Sequence, residues 1–252
     1  MVGVVVMTRL VVRRQPELVE RERLAGAEDA HHHVLDAASG GQGGDAQLDV
    51  ERAELLVDAA LAAGTDWIEI GKPFIEFHGI TGIGPLMERC SNSYVLVDLM
   101  IMAAPAKYLG ALAERGVRNA TVTALAPEVT VLDAIEQGQR LGVAITVDLF
   151  NVAHPKELAV RYAEAGADFL MVHYGVDQKR ADTAGTPLRT LEQIVRAVQV
   201  PISYATYDLS EARSAIDAGA SIIVQGEPLL STTDPRRELG VFIKGLRDCA
   251  IH

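Results

Sequence analysis

The stretch "ELAVRYAEAGADFLMVHYG", Glu157 to Gly175, decides how the rest of the chain is read. Its first half spaces apolar residues as a helix does and stops at Gly166, a residue suited to the left-handed turn that caps a helix. Its second half is a nearly unbroken apolar run that reaches His173. Such a run lacks the polar–apolar alternation of a half-exposed strand and suits a parallel strand covered on both faces. Moving outward, the same helix–glycine–strand unit recurs. "AELLVDAALAAG" leads into "TDWIEIG", "YLGALAERG" into "VRNATVTAL", "LDAIEQGQRLG" into "VAITVDLF", and "EARSAIDAG" into "ASIIVQG". "TLEQIVRAVQV" leads into "PISYATYD" without the glycine. The spacing, roughly 25 residues, is that of a βα module.

The predicted strands are 67–71, 95–100, 119–125, 143–149, 168–173, 201–206 and 221–225. An eighth is expected before the helix at 50–63, and "HHHVLDAAS" (31–39) is the candidate, followed by the flexible glycine-rich loop "GGQGGDAQ". Eight strands alternating with helices make an α/β chain with a single (β/α)8 TIM barrel. The rival, an open doubly wound sheet, is disfavoured because the modules are even and no dinucleotide glycine fingerprint follows the first strand. Residues 1–30 read as an N-terminal extension with a charged helix, and 31–252 as the barrel.

The bulk numbers fit. The chain has 252 residues, 49% hydrophobic and 23% charged, with a formal net charge of −11. That charge argues against nucleic acid and anionic membrane as partners. No apolar run approaches the roughly 18 residues of a membrane span. "MVGVVVM" lacks a basic start and is broken by Thr8 and Arg9, so no signal peptide is read. Two cysteines, Cys90 and Cys249, make no disulfide framework, and a cytoplasmic setting follows.

In a TIM barrel the working residues sit at the C-terminal ends of strands. There the sequence places Asp36, Glu69, Lys72, Asp98, Thr123, Asp148, Asn151, His173, Asp177, Tyr204, Tyr207, Gln225 and Glu227. The carboxylates Asp36, Glu69, Asp98 and Asp148 offer hard oxygen donors for a cation such as Mg²⁺. They serve equally to hold loop amides or to pair with Lys72, itself either a counter-ion or a catalytic cation. His173 is a candidate general acid or base. The run His31–His33 looks like a metal tract but lies before the first expected strand, at the other end of the barrel. No Ser-His-Asp elbow, zinc ligand set or Walker loop is present, and no organic cofactor is expected.

Four segments carry a resemblance: "DWIEIGKPFIEFHGI", "VLVDLMIMAAP", "VDLFNVAHP" and "VHYGVDQKRADTAGTP". From about residue 47 to 230 the chain resembles 3-hexulose-6-phosphate synthase and 3-keto-L-gulonate-6-phosphate decarboxylase, in the orotidine 5′-monophosphate decarboxylase superfamily. "HYGVD" followed by "AGTP" brings it nearer the synthase branch. The resemblance implies a carbon–carbon lyase, of aldehyde-lyase or carboxy-lyase type, in which Mg²⁺ stabilises an enediolate. It implies Glu69 and Asp98 as metal ligands and His173 as the residue that handles protons; Asp98 and, from their strand-end places, Lys72 and Asp36 are the further catalytic candidates. Asp148, Asp177, Tyr204, Tyr207, Gly226 and Glu227 are then expected around a small-molecule substrate. It implies a homodimer paired through the barrel mouths, near Pro105 and Asp36. The family's D-x-K-x-x-D motif is incomplete: Asp98 stands, but Met100 and Ala103 replace its lysine and second aspartate. The phosphate grip also departs, with "SYATYD" where the family has glycines and Glu227 after Gly226 where it has arginine. Three functions are compatible: a lyase of altered, non-phosphorylated substrate, a non-catalytic ligand-binding or partner barrel, and an ordinary hexulose-phosphate synthase that uses Lys72.

Overall fold

The computed structural model describes residues 46–226 and 228–248, with side chains from Val50 onward, and the backbone of two strands nearer the N-terminus. These are β1 (Val4–Arg9) and β2 (Asp36–Ala37). Then come α1 (Ala46–Ala63), β3 (Trp67–Ile70), α2 (Lys72–His78), α3 (Gly84–Arg89), β4 (Tyr94–Ile101) and α4 (Pro105–Ala113). They are followed by β5 (Asn119–Thr123), α5 (Glu128–Leu141), β6 (Ala144–Asp148), α6 (Pro155–Glu164) and β7 (Phe169–Val172). The chain continues through α7 (Val176–Ala181), α8 (Leu188–Val195), β8 (Ile202–Thr206), α9 (Leu209–Asp217), β9 (Ile222–Gln225) and α10 (Pro235–Arg247).

Strands β3 to β9 pair in sequence order, each parallel to the next, with helices in the connections. This is the (β/α)8 barrel architecture. The strands are largely buried, as their apolar runs require; β3, β5, β7 and β9 are buried at every position, and β4 is half-buried at Asp98, Leu99 and Met100. The helix C-termini follow the expected glycines. Gly142 closes α5 at φ +70°, a conformation that a side chain would strain.

The closing strand differs from the expectation. The gap between β3 and β9 is spanned by β1, antiparallel to both, with Val5 opposite Glu69 and Val6 opposite Gln225. Of the expected eighth strand at 31–39, the described residues are β2, two residues paired antiparallel with β1. "MVGVVVM" is a β-branched run of strand length, whereas the 31–39 stretch has few such residues. The charged helix read within residues 1–30, the histidine run and residues 40–45 of the glycine-rich loop lie outside the described residues; the last two residues read as loop, Ala46 and Gln47, begin α1.

Side-chain direction follows from the register. Trp67 on β3 meets Phe169 on β7 edge-on at 5.2 Å, a contact between non-adjacent strands that has to cross the barrel interior. Alternation then turns Glu69, Leu96, Asn119, Thr121, Thr123, Thr146, Asp148, Met171 and Ser203 inward. An aromatic layer of Trp67, Tyr94 and Phe169 fills the floor, and a polar layer lies above it. Among the described residues no helix is long and apolar enough to cross a membrane.

Candidate active site

The polar layer converges on four groups at the C-terminal ends of β3, β4, β6 and β7. Glu69 is inward and buried on β3. Asp98 on β4 accepts a hydrogen bond from Thr121 Oγ1 at 2.6 Å, and Thr121 in turn accepts from the Met100 backbone N–H at 2.8 Å. Asp148, 1% exposed, lies 3.2 Å from His173 Nδ1 and also accepts from the Phe150 N–H at 2.9 Å. The His173 ring stacks on Phe150 at 4.6 Å with 10° between the planes. Gly175 makes room for this, because a Cβ there would stand 2.7 Å from the Phe150 ring. His173 is thus held by Asp148 through one nitrogen and by Phe150 across its face.

Strain gathers at the same mouth. Among the described residues three non-glycines have positive φ: Met100 at 45°, Ala104 at 49° and Asn151 at 55°. Two follow Asp98 and one follows Asp148. Register breaks in β4, where four steps from Val97 to Ile101 match two from Ala120 to Val122 in β5. A left-handed L-residue costs roughly 1–2 kcal/mol, and such positions gather where a fold fixes a functional geometry.

Burial, first, and then the nearby Asp148 carboxylate push the Asp98 carboxyl above its usual range. The Thr121 hydrogen bond, His173 and Lys72 act in the opposite direction without cancelling the rise. Folded Asp98 therefore holds its proton more tightly than the unfolded chain does. Its contribution to stability is full below the unfolded carboxylate pKa, about 3.9, and is lost as pH rises through the folded value. Asp98→Asn keeps an acceptor for Thr121 and cannot ionise. Its melting temperature relative to wild type should therefore rise between pH 4 and pH 8. A difference that stays flat or falls across that range overturns this assignment.

The other expected residues divide. Lys72 is the first residue of α2 and its Nζ bonds Glu76 Oε1 at 2.5 Å. Asp177, in the connection that leaves β7, is 98% exposed and pairs with Arg180. Tyr204 is the clearest correction. It is fully buried and alternates with inward Ser203, so it faces the helix layer, where its hydroxyl bonds Glu211 and Thr186, each at 2.8 Å. Tyr207 lies past β8 and donates to the Tyr174 carbonyl at 2.8 Å. Gly226 is buried at the end of β9. Glu227 and the Asp36 side chain lie outside the described residues. Thr121 and Phe150 were not singled out from the sequence. The alternation Asn119–Thr121–Thr123, polar at every second position of an otherwise apolar strand, was the available signal for Thr121.

Among the described residues no three His, Cys, Asp or Glu side chains group closely enough to hold a metal. Glu69 and Asp98 still have the chemistry for Mg²⁺: they are hard oxygen donors facing one interior from adjacent strands. Mg²⁺ ordinarily takes one or two carboxylates and completes its shell with water. A shallow cleft lined by Ala62, Ala63, Asp234, Arg236 and Arg237 lies at the opposite end of the barrel, where α1 runs into β3.

A (β/α)8 barrel with acids and a histidine at its mouth has side chains of the kind that move protons. Comparison with known proteins places it. The chain is 30% identical over 189 residues to 3-hexulose-6-phosphate synthase of Methylomonas aminofaciens, covering 75% of this chain and 90% of the relative. Identity to the synthase of Staphylococcus epidermidis is 29% over 139 residues, spanning just under two thirds, 66%, of that relative's length. No family model matches the chain. The fold is shared with 3-hexulose-6-phosphate synthase from Salmonella typhimurium, at 23% identity and a TM-score of 0.70, covering 78% of this chain and 94% of that one. It is shared also with KGPDC from Streptococcus mutans, at 15% identity and a TM-score of 0.72, covering 79% and 93%. The chain belongs to the 3-hexulose-6-phosphate synthase family.

Proposed function

We propose that this barrel is a carbon–carbon lyase that works through an enediolate, on a small hydroxylated carbonyl compound anchored differently from the family's sugar phosphates. The observation that carries the reading is the Asp148–His173 pair, 3.2 Å apart and stacked on Phe150. A carboxylate on Nδ1 leaves Nε2 as the nitrogen that moves a substrate proton, the arrangement of an oriented general acid–base. Mg²⁺ held by Glu69 and Asp98 would supply the positive charge that the substrate oxygen needs as it becomes an enediolate. The lysine role is not handed to Lys72 in this reading, since that side chain is engaged with Glu76.

The test is solvent exchange. The protein, with Mg²⁺, is incubated in deuterated water with ketoses and ketose phosphates, and loss of the C–H signal beside the carbonyl is followed. Exchange that disappears in His173→Asn supports the reading. Met100 and Ala103 favour a second reading, a non-catalytic ligand-binding or partner barrel, and exchange with none of the compounds would select it. Mg²⁺ alone should also raise the melting temperature of wild type, by about 2–4 °C at saturating metal. Glu69→Gln should abolish that rise, and a variant that responds like wild type removes Glu69 as a ligand.

A homodimer paired through the mouths belongs to the same proposal. Met102 and Leu125, in the loops that leave β4 and β5, are 57% and 47% exposed, and Val129 on α5 is 73% exposed. Large apolar side chains gathered around one rim suit a covered surface. Sedimentation at micromolar concentration should give a dimer, and Val129→Asp a monomer; a monomeric wild type would sink this part. A cytoplasmic setting is proposed too, in keeping with Cys90, a buried free thiol pushed up to about 12 by burial.

A further inference from the structure

The segment after His173 is tied to β8, its exit and α9. Tyr207 donates its hydroxyl to the Tyr174 carbonyl at 2.8 Å. Lys179 Nζ on α7 stands 5.9 Å from the centre of the Tyr207 ring. That Nζ donates to the Gly185 carbonyl at 3.0 Å and lies 3.4 Å from Glu211 Oε2 on α9. The other Glu211 oxygen accepts from Tyr204, which also bonds Thr186. The Glu211 side chain is 8% exposed, so these contacts work in a largely dry setting where they hold more firmly than in water. Residues of β8, its exit and α9 thereby hold 174–186 at its start, middle and end. His173 must reach Asp148 on a different strand, β6, and the backbone leaving β7 sets that reach.

We infer that Tyr207 is a positioning residue for His173, acting through the Tyr174 carbonyl, with Lys179, Glu211 and Tyr204 keeping it and the loop in place. The inference rests on His173 being the acid–base of the proposed reaction. Its test does not depend on turnover.

The full chain, labelled with ¹⁵N histidine, is followed by NMR near neutral pH. The wild type should show a protonated, hydrogen-bonded Nδ1, assigned to His173 by its loss in His173→Asn. Tyr207→Phe keeps the ring under Lys179 and removes only the hydroxyl. In it, exchange of that Nδ1 proton with solvent should quicken about tenfold as the Asp148 contact loosens. Amide exchange in the 174–186 segment should quicken about fivefold, as expected for one lost hydrogen bond. Leu239→Ala, in α10 and away from the mouth, is a control that lowers stability and should leave the His173 signal unchanged. A Tyr207→Phe spectrum identical to wild type, or an equal change in Leu239→Ala, overturns the inference. If the Tyr207→Phe effect appears while no compound undergoes exchange, the positioning stands and the enzymatic reading falls.

Discussion

The double variant Met100→Lys, Ala103→Asp is expected to raise the rate of the synthase reaction, ribulose 5-phosphate with formaldehyde, about a thousandfold over wild type. Wild type should turn over far below the ordinary enzyme rate of about 10 per second. Methionine neither donates a hydrogen bond nor carries charge, so it cannot steady a developing oxyanion. One such donor is worth roughly a hundred- to a thousandfold. Position 100 lies beside Asp98. The Met100 N–H is fixed to Thr121, which also holds Asp98, so whatever stands at 100 is pinned beside that carboxylate. Backbone strain is not a bar: φ is 45° with methionine already, and lysine adds no branching at Cβ. Ala103 is exposed, so an aspartate there keeps its water and can pair with the new lysine. Consumption of formaldehyde measures the outcome. A double variant no faster than wild type would show that the missing pair is not what silences the family reaction. A wild type that already turns over about 10 times per second would say the same.

The parallel strands were legible because burial on both faces leaves an unbroken apolar run, and the helix ends because glycine takes φ values other residues avoid. β3, β5, β6 and β7 lie inside their expected spans. The closing strand was missed because β1 is antiparallel and outside the repeat, so the module spacing carries no information about it. Tyr204 was misplaced for a different reason. A strand-end position says how high a residue sits in the barrel, whereas the face it presents depends on register with the neighbour, which needs the pairing Met171–Ser203 to be known. The acids and His173 were legible as chemistry. The neutral side chains that aim them, Phe150 and Thr121, were not, because they carry no catalytic signature of their own.

Ribulose 5-phosphate and inorganic phosphate are expected to bind wild type about a thousandfold more weakly than they bind Glu227→Arg. A phosphate held at the ends of β8 and β9 needs backbone N–H groups at close approach and a cation nearby. The first is hindered here. "SYATYD" has no glycine, Thr206 Oγ1 is used on the Asp208 carbonyl, and Tyr207 is committed to Tyr174. The second is reversed, because the residue after buried Gly226 is glutamate. Two like charges about 4 Å apart repel by ~4 kcal/mol at an effective dielectric near 20, and that is close to a thousandfold in affinity. Tyr204, turned into the helix layer, is not available to hold that end of a substrate. Calorimetry on wild type and Glu227→Arg decides the matter. Micromolar binding of ribulose 5-phosphate to wild type, lost on Gly226→Val, would mean that the phosphate is gripped despite the glutamate, and the substrate would then be a sugar phosphate after all.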